Sequence, residues 1–415
     1  MQKLKSKIII PMRILPDVNG RLSDKLNPAI GVFSQPIITI LFFINILILS
    51  CEKDIEKSEE NIFPIELSPS GQSTDTLHPV CVIADFPDSK LEDMKYGLNS
   101  VEKIVGILQA IDQHWIWMSH GYQSLQWTVI RTTISQPVNG TGYNGSWYEY
   151  RQDVVRHALL QLEVSEHDKN NDNYVDIMFI IASNNNVEPE YLIGGAAGIP
   201  DGLSGANTFV DGQNSLSIQR RAIGNFSHEI GHNLGLPDIY GSSDNVQYLT
   251  IMSDSWPTPP HTFSAYEKYR LGWAEPLTIT ETKYGIDLKP GETSLDFLKI
   301  PTDDTLEFFL VEYRRRQIVS YTSNAPVNYN GIVIYRVNNF VENGEVLLEK
   351  LAVVPADGND YFTSMLERAA FWYPTNYYMP EDGCSLKKSD GQECGIRLTD
   401  FNYTGNGMSL NVIFE

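Results

Sequence analysis

Two histidines and a glutamate stand in the order His228, Glu229 and His232, and an aspartate, Asp238, follows shortly after. On a helix, residues i and i+4 share a face, so both imidazoles can offer a nitrogen to one metal ion. Glu229 then points beside that ion, where a carboxylate can hold a bound water. Gly235 and Pro237 end the helix, because glycine takes the left-handed conformation that reverses a chain. The reversal returns Asp238 toward the histidines. Two imidazoles and a carboxylate with an open fourth position suit Zn2+, and the chemistry implied is hydrolysis by a metal-activated water, with Glu229 as its base. The alternative has Asp238 cap the turn and takes the third ligand from a later carboxylate such as Glu267.

A second group, Asp168, Asn170, Asp172 and Asp176, places oxygen donors on alternating positions of a polar stretch, a pattern that suits Ca2+. The EF-hand pattern fails twice, since Asn173 replaces the turn glycine and Phe179 stands where the bidentate glutamate belongs. A solvated acidic turn is the competing reading. His261, after two prolines, could stabilise an oxyanion or simply belong to a surface loop.

The elements that must position these residues follow from periodicity. Val80–Asp85 is an apolar, largely β-branched run ended by Pro87 and reads as a buried strand. Amphipathic stretches at Leu98–Trp117 and Tyr148–Leu162 read as helices, and Leu125–Thr133 and Val175–Ile181 as strands. That order predicts an α/β sandwich for a first domain at 78–275. Beyond Gly272, short runs such as Phe308–Tyr313, Gly331–Val337 and Met408–Phe414 alternate with Gly, Asn, Asp and Pro clusters, which predicts a mainly β domain at 276–415.

The start of the chain reads as an address. Lys3, Lys5, Lys7, Arg13, Arg21 and Lys25 precede an apolar run, Ile37–Leu49, too short for the roughly 20 residues that span a bilayer but suited to a secretory signal. Ile48-Leu49-Ser50-Cys51 resembles the bacterial lipobox, which makes Cys51 a lipidation site, residues 1–50 a signal peptide and 51–77 a charged, Ser/Pro/Gly-rich tether. Translation from Met12 would give a signal of more usual length. Cys384 and Cys394 flank a polar loop and are candidates for a disulfide or for two free thiols. Cys81, inside an apolar run, reads as a buried small hydrophobe.

Composition bounds the rest. A chain of 415 residues with 42% hydrophobic content and 21 Tyr, 17 Phe and 7 Trp is globular. With 31 Lys and Arg against 52 Asp and Glu, the net charge of −21 excludes nucleic acid as an expected partner, because phosphate binding needs clustered cations. Membrane contact is expected only through a lipid on Cys51.

The segment HExxHxxGxxD, with the flanking Gly235-Leu236-Pro237-Asp238-Ile239-Tyr240, resembles the immune inhibitor A family of zinc metallopeptidases, a metzincin-type arrangement with aspartate as third ligand. Further likeness lies in Ile251-Met252-Ser253, Thr262–Lys268, Leu271-Gly272-Trp273, Ser119-His120-Gly121-Tyr122, Asn171–Asp176, Leu310–Arg314 and Gly331–Val337. The resemblance implies a metzincin-like catalytic domain, a zinc site of His228, His232 and Asp238, a general base at Glu229, and Met252 in a tight turn beneath the metal. It implies peptide-bond hydrolysis of protein or peptide substrates by a secreted or surface-anchored endopeptidase. Many members carry a sizeable propeptide, whereas here only the tether separates Cys51 from the first strand, so a folded prodomain is not expected. The alternatives are a peptidase-like surface lipoprotein that binds proteins or peptides without turnover, and a structural lipoprotein without metal. The intact Glu229 argues against the first.

Overall fold

A computed structural model of the chain describes residues 75–93, 99–134, 147–182, 207–211, 216–239, 246, 249–255, 260–319, 326–356, 372 and 382–415. Cys51, the signal-like segment and all of the expected tether before residue 75 lie outside the described residues. The last residues of that stretch, Asp75–Leu77, form strand β1. It pairs in parallel with β3 (Gln123–Leu125).

The central strand of the first layer is β2 (Val80–Asp85), buried at every position. A strand covered on both faces needs side chains that accept burial on both, which explains its apolar sequence from Val80 to Ala84, while the buried Asp85 at its end is paired with Arg131. It lies between β4 (Thr128–Thr133) and β5 (Met178–Ala182), and β6 (Asn207–Asp211) extends the sheet beyond β5. All of these pairings are parallel. Because successive strand side chains alternate, Cys81 and Ile83 enter one apolar core, while Val80, Val82 and Ala84 enter another.

Helices cover both faces. On the first face lies α1 (Val101–Met118), whose buried residues Ile104, Leu108, Ile111, Trp115 and Met118 recur at helical spacing. Ser100 caps it by accepting from the Lys103 amide. On the other face lies α2 (Trp147–Leu159), through Val154, Val155 and Ala158. The first face also receives α3 (Leu216–Asn233), where Phe226 stacks on Phe179 of β5 with ring centroids 4.5 Å apart. A short helix, α4 (Ala265–Arg270), closes the mixed region with a Ser264/Glu267 capping box. The elements to this point are mixed helix and sheet, as expected.

After α4 every described element is a strand or turn. One sheet runs β12–β11–β10–β9–β7, from β7 (Leu277–Thr278), β9 (Leu298–Pro301), β10 (Glu307–Val319), β11 (Pro326–Glu342) and β12 (Glu345–Val353). A second runs β13–β14–β15–β8, from β8 (Lys283–Leu288), β13 (Cys384–Lys387), β14 (Glu393–Tyr403) and β15 (Met408–Phe414). Phe309 and Val311 of β10 pack toward the second sheet, with Leu398 and Leu410. Phe308 and Leu310, on the opposite face of β10, join the core that holds α1 and α3. The first of these sheets is therefore buried on both sides, and one apolar core runs from the mixed region into the strand-rich one.

Of the two alternatives for Cys384 and Cys394 the structure has the free thiols, and the buried Cys81 is free as well. The reason is register. Cys384 stands opposite Leu398, and Glu393 opposite Lys387, which leaves the two thiols several residues out of step along the ladder at about 3.4 Å per residue. Burial pushes the Cys81 thiol up to about 12. Among the described residues, no helix is long and apolar enough to cross a membrane.

Candidate metal centre

The last two turns of α3 carry His228, Glu229 and His232. The helix stops at a Schellman-type turn: the Leu236 amide donates to the Gly231 carbonyl at 3.0 Å, and the Gly235 amide to the His232 carbonyl at 2.9 Å. Gly235 takes φ +84°, a conformation that a β-carbon opposes. The chain therefore doubles back at Leu236, and two residues later Asp238 faces the histidines. Next to it, the Ile239 amide donates to the Met252 carbonyl at 3.1 Å, which ties this return to the turn at 249–254.

Each histidine is oriented through Nδ1. His228 Nδ1 lies 2.8 Å from the Ile251 carbonyl, and His232 Nδ1 2.8 Å from the Leu236 carbonyl. A carbonyl only accepts, so both Nδ1 atoms carry a proton, and this tautomer leaves Nε2 of each ring as the atom able to offer a lone pair. Those Nε2 atoms stand 3.1 Å apart. Asp238 Oδ1 lies 3.2 Å from the one and 3.0 Å from the other. Three ligand atoms converge on one point, an arrangement that can hold a metal ion among them. The separations match the edge of about 3.3 Å of a tetrahedron with metal–ligand distances of 2.0–2.1 Å, so the donor set fits zinc. Among the described residues, this is the one group of three His, Cys, Asp or Glu side chains whose ligand atoms lie within 4.8 Å of one another.

Without a metal, that attraction for cations falls on protons. Burial alone lowers the His228 pKa, but the Asp238 carboxylate, the Ile251 carbonyl and the negative charges of Glu229 and Asp238 outweigh it and hold the imidazole above its ordinary value. Glu229 is partly exposed. Neighbouring positions on a helix diverge by about 100°, and the group of converging ligand atoms comprises His228, His232 and Asp238 without Glu229.

The turn below the histidines is fixed from several sides. Met252 is fully buried, and its sulfur lies against Gly231 of the helix. Thr250 Oγ1 donates to Glu267 Oε1 at 2.6 Å, and the Ser264 amide donates to Glu267 Oε2 at 2.7 Å. Glu267 is fully buried with both oxygens engaged, so it is removed as an alternative third ligand, and burial raises its pKa. His261 is 1% exposed, with Nε2 3.9 Å from Asp254 Oδ2, which rules out the reading of it as a surface-loop residue.

The acidic stretch at 168–176 behaves as a self-satisfied turn. Asp168 accepts from the Asp172 and Asn173 amides, Asn170 from the Asp172 amide, Asp172 from the Tyr174 amide and Asp176 from the Lys169 amide. These are turn-type side-chain bonds to nearby backbone, and the three aspartates do not bring ligand atoms together as His228, His232 and Asp238 do. Sequence reasoning missed the Ile251 and Leu236 carbonyls and Gly231. Gly231 was visible as an unassigned position between the histidines, whereas a backbone acceptor leaves no residue-type signal.

Two histidines on the last turns of a helix, an aspartate on the returning chain and the Glu229 carboxylate one position along the helix make up a donor set of the kind used by metal-dependent hydrolytic sites. The family model described as immune inhibitor A peptidase M6, catalytic domain, matches residues 201–271, which include α3, Asp238, the turn at Met252 and α4. The match supports a peptidase of the metallopeptidase type acting on proteins or peptides, and M6 peptidases are generally zinc-dependent. No curated protein matches the chain.

Proposed function

We propose that the chain is an exported zinc endopeptidase of metzincin-like design, with His228, His232 and Asp238 as the metal ligands. The carrying observation is the convergence of two Nδ1-anchored imidazoles and one carboxylate oxygen within 3.0–3.2 Å. Zinc held there supplies a water of pKa about 7 and polarises a scissile carbonyl. Glu229 accepts a proton from the attacking water at its carboxylate and delivers it to the leaving amine nitrogen. Export and surface attachment rest on the signal-like run Ile37–Leu49 and on lipidation of Cys51.

The test is Glu229→Ala assayed on a mixture of peptides, together with metal analysis. The variant keeps one equivalent of zinc and loses about two to four orders of magnitude of turnover, the scale of a lost general base. Wild-type protein that binds zinc but cleaves nothing would instead identify a binding lipoprotein that retains the site without turnover.

A further inference from the structure

Five ionisable side chains are buried together where α4, the turn at 249–254 and β10 meet. Lys268 is 1% exposed, Arg314 2%, Glu312 1%, Glu292 4% and Glu267 0%. Burying an ion costs several kcal/mol even after relaxation, and well-packed apolar residues often replace such groups without loss. Stability alone is thus a weak reason for the cluster, and the directions of its hydrogen bonds carry more information.

Arg314 is anchored on the strand-rich side. Its Nε lies 3.0 Å from Glu292 Oε1, and its Nη1 3.3 Å from Glu312 Oε1. Glu312 Oε1 also accepts from Tyr335 Oη at 2.7 Å, and Glu292 Oε2 from the Arg315 amide at 3.0 Å. The other contacts of the guanidinium leave the sheet. Nη2 donates to the Leu249 carbonyl at 2.7 Å and Nη1 to the Phe263 carbonyl at 3.2 Å. Those carbonyls belong to the two segments that hold Ile251 between them: Leu249 is two residues before it, and Phe263 follows Thr262, whose carbonyl accepts the Ile251 amide at 3.4 Å. The Ile251 carbonyl in turn orients His228.

We propose that Arg314 is a positioning residue of the metal centre: by clamping the Leu249 and Phe263 carbonyls it fixes the Ile251 carbonyl that aims His228. The proposal rests on the reading of His228, His232 and Asp238 as metal ligands. It makes the strand-rich region a working part of the site. A planar guanidinium serves four acceptors in fixed directions, and the ammonium of lysine retains the charge without that geometry.

The experiment measures zinc affinity by competition with a chromophoric chelator, well below each unfolding midpoint, for wild type, Arg314→Lys and the triple variant Arg314→Met, Glu292→Gln, Glu312→Gln, which removes the ion cluster without leaving an unpaired charge. Lys299→Met is the comparison, because Lys299 lies in the same sheet over the Tyr269 and Phe308 rings at 4.7 and 4.4 Å. Arg314→Lys and the triple variant are expected to unfold cooperatively yet bind zinc about tenfold more weakly or worse, the scale of outer-shell changes, while Lys299→Met keeps wild-type affinity. Unchanged affinity in folded Arg314→Lys overturns the proposal, as does an equal loss in Lys299→Met or failure of both Arg314 variants to fold. Wild-type protein that binds no zinc is a distinct result, which overturns the metal-centre reading itself.

Discussion

A β-carbon placed on Gly231 would lie 2.5 Å from the Met252 sulfur and 3.4 Å from the Phe263 ring, so the helix with the two histidines and the turn beneath it meet where any larger residue must displace the Met252 side chain. Gly231→Ala should therefore overpack the contact and cost about 1–3 kcal/mol of stability, read by chemical denaturation. Met252→Val removes the atom at the clash. The double variant should then be less destabilised than the sum of the two single changes, since the residues are in contact. Strict additivity would show that this contact is not the source of the effect.

His120 provides a pH test of the packing between the end of α1 and the strand-rich region. Its Nε2 lies 3.4 Å from the Gly291 carbonyl. Burial first and the Lys268 charge second push its pKa down to about 4, against smaller opposing effects from Gly291, Glu292 and Asp296. A histidine with a depressed folded pKa contributes stability that is complete above its ordinary value of 6.5 and lost as the pH falls toward 4. That loss amounts to up to about 3 kcal/mol. His120→Asn, in which asparagine tolerates the φ of +53° at this position, should flatten the stability profile between pH 6.5 and 4. Parallel profiles for variant and wild type would count against a half-buried His120 with a depressed pKa.

The parts legible from the sequence were those in which one residue's type announces its surroundings. Val80–Ala84 reads as a strand because burial on both faces favours an apolar run, and Ile104, Leu108, Ile111 and Trp115 read as one helix face because their spacing matches the turn. His228 and His232 were legible for the same reason, and Gly235 announced the reversal that returns Asp238. Arg314 and Lys268 were not legible: charged residues usually face water, and their burial is imposed by a sheet covered on both sides. One signal was present in Glu312 and Arg314, opposite charges two apart on a strand and hence on the same face of it. Whether Cys384 and Cys394 are bonded was left open by the sequence, because strand register, which decides whether two thiols meet, arises from pairing partners distant in sequence.

Anchoring at Cys51 is a separate proposal with its own test. Acyl chains on that cysteine would supply the free energy that holds the protein at a membrane. Cys51→Ala protein should then move from the membrane fraction to the soluble fraction, with its catalytic activity per molecule unchanged. Continued membrane association of the variant would point to an uncleaved apolar segment as the anchor.

The third ligand offers the sharpest test of the centre. Asp238 Oδ1 stands 3.2 and 3.0 Å from the two Nε2 atoms, while its side chain is 41% exposed, so its removal should cost the fold little and the site much. The competing carboxylate, Glu267, is enclosed and held by Thr250 and Ser264. Asp238→Ala should accordingly lose most of its bound zinc and its activity together while unfolding cooperatively. Asp238→His should retain the metal. The negative charge of an aspartate partly offsets that of zinc, so the bound water is less acidic than with three neutral ligands. Its replacement by neutral histidine should lower the pKa of that water and shift the acid limb of kcat/KM against pH downward. Stoichiometric, tight zinc in Asp238→Ala would remove Asp238 from the ligand set, and an acid limb that stays in place in an active Asp238→His would show that its charge does not tune the water.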